Sequence, residues 1–117
     1  MNFIEKRKHP RVELDSVTVE IYSSTTHMTD PEISDICTVI NLSENGMRFE
    51  SNSRYNQAIL LRLTFLLPES MVIIRTDAIV VNSLQTANKF ETGVQFKNLG
   101  IAEHKILQHF IDKMLAA

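Results

Sequence analysis

The 117-residue chain has little of what several classes of protein require. It contains one cysteine, so no disulfide can form within the chain. Its best candidate for a membrane span, AILLRLTFLL, is short and carries Arg62 in its middle. The formal net charge of −2 disfavours a protein that coats nucleic acid non-specifically, because such binding needs a broad basic excess. We therefore expect a single domain, residues 1–117, that neither inserts into a membrane nor binds nucleic acid.

Other absences bear on chemistry and location. No nucleophile motif such as G-x-S-x-G occurs, and the histidines are not spaced as metal ligands on one helix face. We expect neither an enzyme nor a metal site. The chain has no tryptophan and few other aromatic residues, which disfavours a barrel that stacks single-stranded nucleic acid on exposed rings. No apolar segment follows the first basic residues, as a secretory signal would require, so we expect a cytoplasmic protein.

Alternation of apolar and polar residues along most of the chain predicts short strands. The six predicted strands are 12–21, with one irregularity, 36–40, 46–50, 59–67, 71–82 and 89–96, and a long loop at 23–32 follows the first. After Gly100 the apolar residues recur every three or four positions, which predicts an amphipathic helix at 101–115. The pattern favours an all-β fold, an antiparallel six-stranded barrel at 12–97, with a C-terminal helix that covers one end or side.

A basic cluster, KRKHPR at 6–11, precedes the first predicted strand. Pro10 disfavours helical backbone at His9, so the segment is extended or turned, and four extended residues span about 13 Å. Arg7 and Arg11 could therefore bracket a nucleotide. Arginine forms paired charge-assisted hydrogen bonds with phosphate or with the O6/N7 edge of guanine, and its planar face stacks on bases. The alternative is a solvated tail.

A second polar segment, NLSENG at 41–46, lies at the predicted turn into the third strand. Asn41 can hydrogen-bond a base edge, and the Ser43 hydroxyl can reach a base or a phosphate. Gly46 can adopt a positive φ or let a ligand approach closely. Arg48, on the next strand, is expected to point outward, either as an exposed residue or as a secondary ligand contact. The alternative for the segment is an ordinary turn, because Asn, Ser and Gly are common turn residues.

Together the two segments resemble the PilZ domain, a bacterial receptor module for cyclic di-GMP whose motifs are R-x-x-x-R and [D/N]-x-S-x-x-G. The matching residues are Arg7, Arg11, Asn41, Ser43 and Gly46, and the GMRF and TGVQF segments and the closing helix also look like this family. The resemblance implies a split six-stranded antiparallel barrel, in agreement with the periodicity. It further implies that the two arginines grip phosphates and guanine edges, that the Asn and Ser read polar groups, and that the Gly keeps the turn open. Asn in place of Asp lacks a charge, so we expect weaker binding at that position.

The resemblance implies a cyclic di-GMP receptor with no cofactor. We expect residues 1–11 to form a mobile basic arm that folds over the 41–46 turn when ligand binds and creates a surface for a downstream protein. Lys6, just before the first arginine, is a secondary candidate that could help neutralise the phosphates of a stacked ligand pair. Whether one or two ligands bind is open. The alternative function is a protein–protein interaction module with the same barrel that binds no nucleotide.

Overall fold

The computed structural model describes residues 10–23 and 35–116. The candidate residues Lys6 and Arg7 and most of the predicted 23–32 loop lie outside these ranges. Within them the chain forms seven strands and one helix: β1 Val12–Glu13, β2 Thr18–Ser23, β3 Asp35–Leu42, β4 Gly46–Ser51, β5 Leu60–Leu66, β6 Ile73–Thr86, β7 Lys89–Lys97 and α1 Ile101–Ala116.

Six of these strands form a closed antiparallel barrel. Going round it, β2 pairs with β3, β3 with β4, β4 with β7, β7 with β6, β6 with β5, and β5 with β2. Closure leaves none of the six with a free edge in the ring, which removes a common route to aggregation. The six-stranded antiparallel barrel with a C-terminal helix, predicted from the sequence, is confirmed.

The irregularity predicted in the first strand separates β1 from β2. Ser16 has a φ of 63°, in the left-handed region, so the strand cannot continue through it. Both pieces still pair with β3, because Val12 lies opposite Leu42 and Thr18 lies opposite Thr38. The short β1 is thereby held beside the last residues of β3.

Two other strands are longer than predicted from the sequence, and both for the same physical reason. β3 continues past Ile40 to Leu42, and β6 continues past Asn82 to Thr86. In each, the register against the next strand shifts by one residue, between Val39 and Asn41 in β3 and between Val80 and Asn82 in β6. A β-bulge of this kind inserts one extra residue and interrupts the period-two alternation on which the prediction relied.

The inward side chains form one apolar core that α1 helps to close. Five large apolar side chains from β4, β5, β7 and α1 are all buried in it: Met47, Phe49, Phe65, Phe96 and Phe110. Leu107 and Ile111 of α1 are buried in the same cluster. On its outer side the helix lies along the β5–β6 turn, where Lys113 Nζ is 3.4 Å from Glu69 Oε2. Among the described residues, no helix combines the length and apolar character needed to span a membrane.

Candidate functional site

A cleft of about 310 Å³ lies on the outer surface of the barrel, where β1, β3, β4, β7 and β6 run side by side. Every sequence-predicted site residue within the described ranges lines it: Arg11, Asn41, Ser43, Gly46 and Arg48. These residues come from segments separated by some thirty positions in the sequence, and the fold brings them together. The cleft also contains polar residues that the sequence analysis did not single out, namely Asn45, Asn82 and Gln95.

Arg11 reaches the cleft because of the pairing between β1 and β3. Val12 lies opposite Leu42 in an antiparallel register, so the preceding residue, Arg11, lies level with Ser43. The Arg11 residue is exposed. The β1 pairing thus anchors one end of the R-x-x-x-R motif beside the turn that carries the second motif.

Ser43 holds together the connection between β3 and β4. Its Oγ accepts hydrogen bonds from the backbone N–H groups of Asn45 at 3.2 Å and Gly46 at 3.1 Å, and its own backbone N–H donates to the Gly46 carbonyl at 2.9 Å. The residue is 7% exposed. A hydroxyl oxygen has two acceptor sites, and the turn engages both. Ser43 therefore shapes the turn, as the alternative interpretation of this segment expected, while also lining the cleft.

The reason for a glycine at position 46 differs from one of those expected. Gly46 does not have a positive φ, so the first of the two expected reasons for a glycine does not apply. A Cβ at this position would instead collide with the carbonyl oxygen of Val94 on β7. Glycine is required because the β7 backbone passes too close for any side chain.

Arg48 occupies the outer face of β4 and is paired across two strand boundaries. It lies opposite Gly93 on β7, which lies opposite Asn82 on β6. Its Nη2 donates a 2.8 Å hydrogen bond to Asn82 Oδ1, and its Nη1 lies 3.9 Å from Glu91 Oε1. The guanidinium can span the intervening strand because Gly93 has no side chain: a Cβ there would lie 2.8 Å from Asn82 Oδ1 and 3.2 Å from Arg48 Nη2.

The two β-bulges aim two asparagine side chains at the cleft. In a regular strand, residues two positions apart point to the same face. Asn41 would then face the core like Val39, and Asn82 would face the core like Val80. The extra residue in each bulge reverses this, so Asn41 pairs with outward Arg48 and Asn82 pairs with outer-face Gly93. Bulges are often found where a side chain must be redirected beside a functional site.

The chemistry of the cleft suits an anionic ligand with hydrogen-bonding edges. Among its described lining residues, the charged ones are both arginines, Arg11 and Arg48. The other polar side chains include four amides, those of Asn41, Asn45, Asn82 and Gln95. Guanidinium groups bind phosphate and guanine edges through paired hydrogen bonds, and amides pair with the donor and acceptor groups of a base.

Among the described residues, the titratable groups with shifted pKa values are Tyr22, Cys37 and Tyr55, and none of them lines the cleft. Burial, reinforced by the neighbouring Asp35 carboxylate, raises the pKa of the Cys37 thiol to about 12. Burial also raises the pKa of Tyr55, whose hydroxyl donates a 3.1 Å hydrogen bond to Asp35 Oδ2. Both groups stay protonated near neutral pH. The described residues contain no group of three or more His, Cys, Asp or Glu side chains that could hold a metal ion.

Asn82 and Gly93 were not predicted as site residues, for different reasons. Gly93 carries a usable signal, since a glycine inside a strand often marks the close approach of another group. Asn82 carries none, because its position depends on a bulge and on the pairing of β6 with β7.

Comparison with known proteins agrees with this architecture. A family model described as the PilZ domain matches residues 5–113. A comparison with curated proteins gives no match. Among solved structures, the Bacillus subtilis inhibitor of motility (MotI/DgrA) aligns with a TM-score of 0.77 at 19% identity, covering 97% of this chain and 53% of that chain.

Two further structures are similar in fold. The complex of K. pneumonia MrkH with cyclic di-GMP has a TM-score of 0.72 at 15% identity and covers 97% of this chain and 54% of that chain. The PilZ domain of Escherichia coli YcgR with cyclic di-GMP has a TM-score of 0.71 at 12% identity and covers 96% and 93%. The chain spans about half the length of MotI and MrkH.

Proposed function

Because the chain belongs to the PilZ domain family, we propose that it is a receptor for cyclic di-GMP and that the nucleotide binds in the cleft on the outer face of the barrel. The observation that carries this proposal is the convergence of Arg11, Asn41, Ser43, Gly46 and Arg48 on that single cleft. Structures of two proteins with the same fold, MrkH and the YcgR PilZ domain, contain cyclic di-GMP.

Each residue has a role that its chemistry supports. Arg11 binds a phosphate or the O6/N7 edge of a guanine, and Arg7, outside the described residues, does the same from the other end of its motif. Asn41 hydrogen-bonds a base edge from the end of β3. Ser43 and Gly46 contribute the shape of the turn, since their contacts fix the path from β3 to β4 and its approach to β7.

Binding is coupled to the basic arm in this proposal. The part of the arm that precedes Arg11 folds over the 41–46 turn when the ligand phosphates relieve repulsion among the arm's cationic side chains, and a downstream protein recognises the resulting surface. Lys6 helps neutralise the phosphates if two nucleotides stack in the cleft. Amide hydrogen exchange tests this coupling: residues 6–9 should gain protection with cyclic di-GMP while β5 changes little. Unchanged exchange in the arm at saturation would contradict it.

The protein works by binding rather than by catalysis, without a cofactor, in the cytoplasm where a second messenger can reach it.

Titration calorimetry with cyclic di-GMP, cyclic di-AMP, GTP and a short oligonucleotide tests the ligand. We expect saturable binding of cyclic di-GMP and much weaker binding of cyclic di-AMP, because adenine has an amino donor where guanine has the O6 acceptor. The variant Arg11→Ala should weaken binding about ten- to a hundredfold. Its matched control is Arg62→Ala, which removes an exposed arginine paired with Asp77 on another part of the barrel. Folded protein that binds none of these ligands would contradict the proposal and favour the interaction module.

A further inference from the structure

Arg48, Gly93 and Asn82 form a row across three neighbouring strands on the outer face of the barrel. Two features of this row weaken or interrupt a β-sheet. Gly93 is a glycine in the interior of β7, where the lack of a side chain weakens a strand. Asn82 follows a bulge that interrupts the pairing of β6 with β7. Arg48 lies at the other end of the row, on β4. Both unfavourable features therefore coincide at the wall of the cleft.

The effect of this row is to fix one long side chain. The Gly93 gap lets Arg48 Nη2 reach Asn82 Oδ1 at 2.8 Å, and Glu91 lies within 3.9 Å of the other terminal nitrogen. The Arg48 side chain is 19% exposed, far less than the 59% of Arg62 on β5. An arginine otherwise loses considerable rotamer freedom when it binds a ligand, and a side chain that is already held loses less.

We propose that Asn82 and Gly93 are positioning residues that preset Arg48 as a ligand-binding arginine of the cleft. This inference rests on the proposed function. Asn82 engages one terminal nitrogen of the guanidinium, and the remaining N–H donors present a fork to a phosphate or to the O6/N7 edge of a guanine. Arg11 precedes β1 and Arg48 lies on β4, two strand intervals or about 10 Å away, so one nucleotide can contact both.

A double-mutant cycle separates positioning from a direct or merely structural effect. Affinity for cyclic di-GMP is measured by titration calorimetry on the full chain for Arg48→Ala, Asn82→Ala and Gly93→Ala and for each of the last two combined with Arg48→Ala. Arg48→Ala should weaken binding about ten- to a hundredfold. Asn82→Ala and Gly93→Ala should each weaken it about three- to tenfold, and neither should weaken it further once Arg48 is absent.

Gly93→Ala is the most informative single change. It removes no group that could touch a ligand, and the atoms nearest to its added methyl belong to the ends of two flexible side chains, those of Asn82 and Arg48. The melting temperature should therefore stay close to that of the wild type while affinity falls. Arg48→Lys is a second variant at the contact itself, and it should recover part of the affinity because it keeps the charge without the planar fork. The matched control for Asn82→Ala is Gln85→Ala, an exposed residue farther along β6 that does not line the cleft.

The possible results separate the ligand contact of Arg48, the positioning role of Asn82 and Gly93, and the proposed function. Wild-type affinity in Arg48→Ala would overturn the ligand contact. Equal weakening by Asn82→Ala and Gly93→Ala with and without Arg48 would show that they do not act through it. Absence of cyclic di-GMP binding by the wild type would contradict the proposed function and this inference with it, whereas wild-type binding with uncoupled variants would overturn only the inference.

Discussion

The strands β4, β7 and β6 present two faces whose residues follow different rules. On the inner face, Phe49, Val94 and Val80 are at most 4% exposed, and buried residues alternate with less buried ones along β4 and along β6 as far as Val80. On the outer face, a glycine and a bulge are needed before Arg48 and Asn82 can meet. Burial of the inner face explains why these segments form strands. The glycine and the bulge on the outer face do not help the sheet to form, and they indicate that this face has a role in binding.

The largest effect should come from breaking the inner face. Phe49 is fully buried and packs edge-to-face on Tyr55, with ring centroids 5.7 Å apart. Phe49→Ala should lower the free energy of unfolding by about 3–5 kcal/mol, because a large cavity replaces the ring. Urea denaturation measures this loss. If the two faces are separable, the folded fraction should still bind cyclic di-GMP; lost affinity with unchanged stability would contradict the separation.

The turn serine should affect both properties, because it belongs to the frame of the cleft. Ser43→Ala leaves the N–H groups of Asn45 and Gly46 without their buried acceptor, and should lower the free energy of unfolding by about 1–2 kcal/mol and weaken ligand binding. Ser70→Ala is the matched control. That serine also bonds within a turn, but through longer contacts at an exposed position away from the cleft. Denaturation and calorimetry on both variants should show an effect on binding only for Ser43.

An inner-face group on β3 should make stability depend on alkaline pH. The folded state raises the pKa of Cys37 from 9.0 to about 12, so it retains a proton that the unfolded chain releases. This contribution is fully present below pH 9 and is lost as the pH rises towards 12. Stability should fall by roughly 1 kcal/mol per pH unit above 9, and the slope should be shallower in Cys37→Ala. Urea denaturation at several pH values checks this, and identical slopes would contradict it.

The smallest effect should arise at the rim of the outer face. Glu91 lies 3.9 Å from Arg48 and offsets part of the positive charge that an anionic ligand would meet. Glu91→Gln should raise the affinity for cyclic di-GMP about two- to threefold at low salt, with less gain at high salt and little change in stability. Asp77→Asn, which alters the exposed Arg62 pair, is the control. Weaker binding by Glu91→Gln would mean that this carboxylate positions Arg48 rather than competing with the ligand.

The inner face could be predicted well from the sequence, because buried positions in a strand are filled by apolar residues at every second position. Leu61, Leu63, Phe65 and Leu67 alternate as expected and are all buried in or beside β5. The helix was also predicted correctly, from its three- and four-residue spacing. The register shifts could not be predicted from the sequence, so the predicted ends of β3 and β6 came too early.

The outer face was predictable only where a motif marks it. Asn41, Ser43 and Gly46 were found through a family resemblance. The need for a glycine at position 46 was expected for other reasons, because the close approach of the β7 backbone could not be foreseen from the sequence. Asn82 could not be found in this way. Its partner is 34 residues away and is reached only through the pairing of β6, β7 and β4, which local patterns do not encode.

The central claim is that the outer face of β3, β4, β7 and β6 binds cyclic di-GMP while the rest of the barrel remains as it is. Residue-resolved NMR titration of the backbone amides tests it most directly. Addition of cyclic di-GMP should shift the signals of residues 41–48, Asn82 and Gly93 in a saturable manner, and the signals of β5 should hardly move. Saturating ligand that leaves the 41–48, Asn82 and Gly93 signals unchanged, or shifts confined to β5 and α1, would contradict the account.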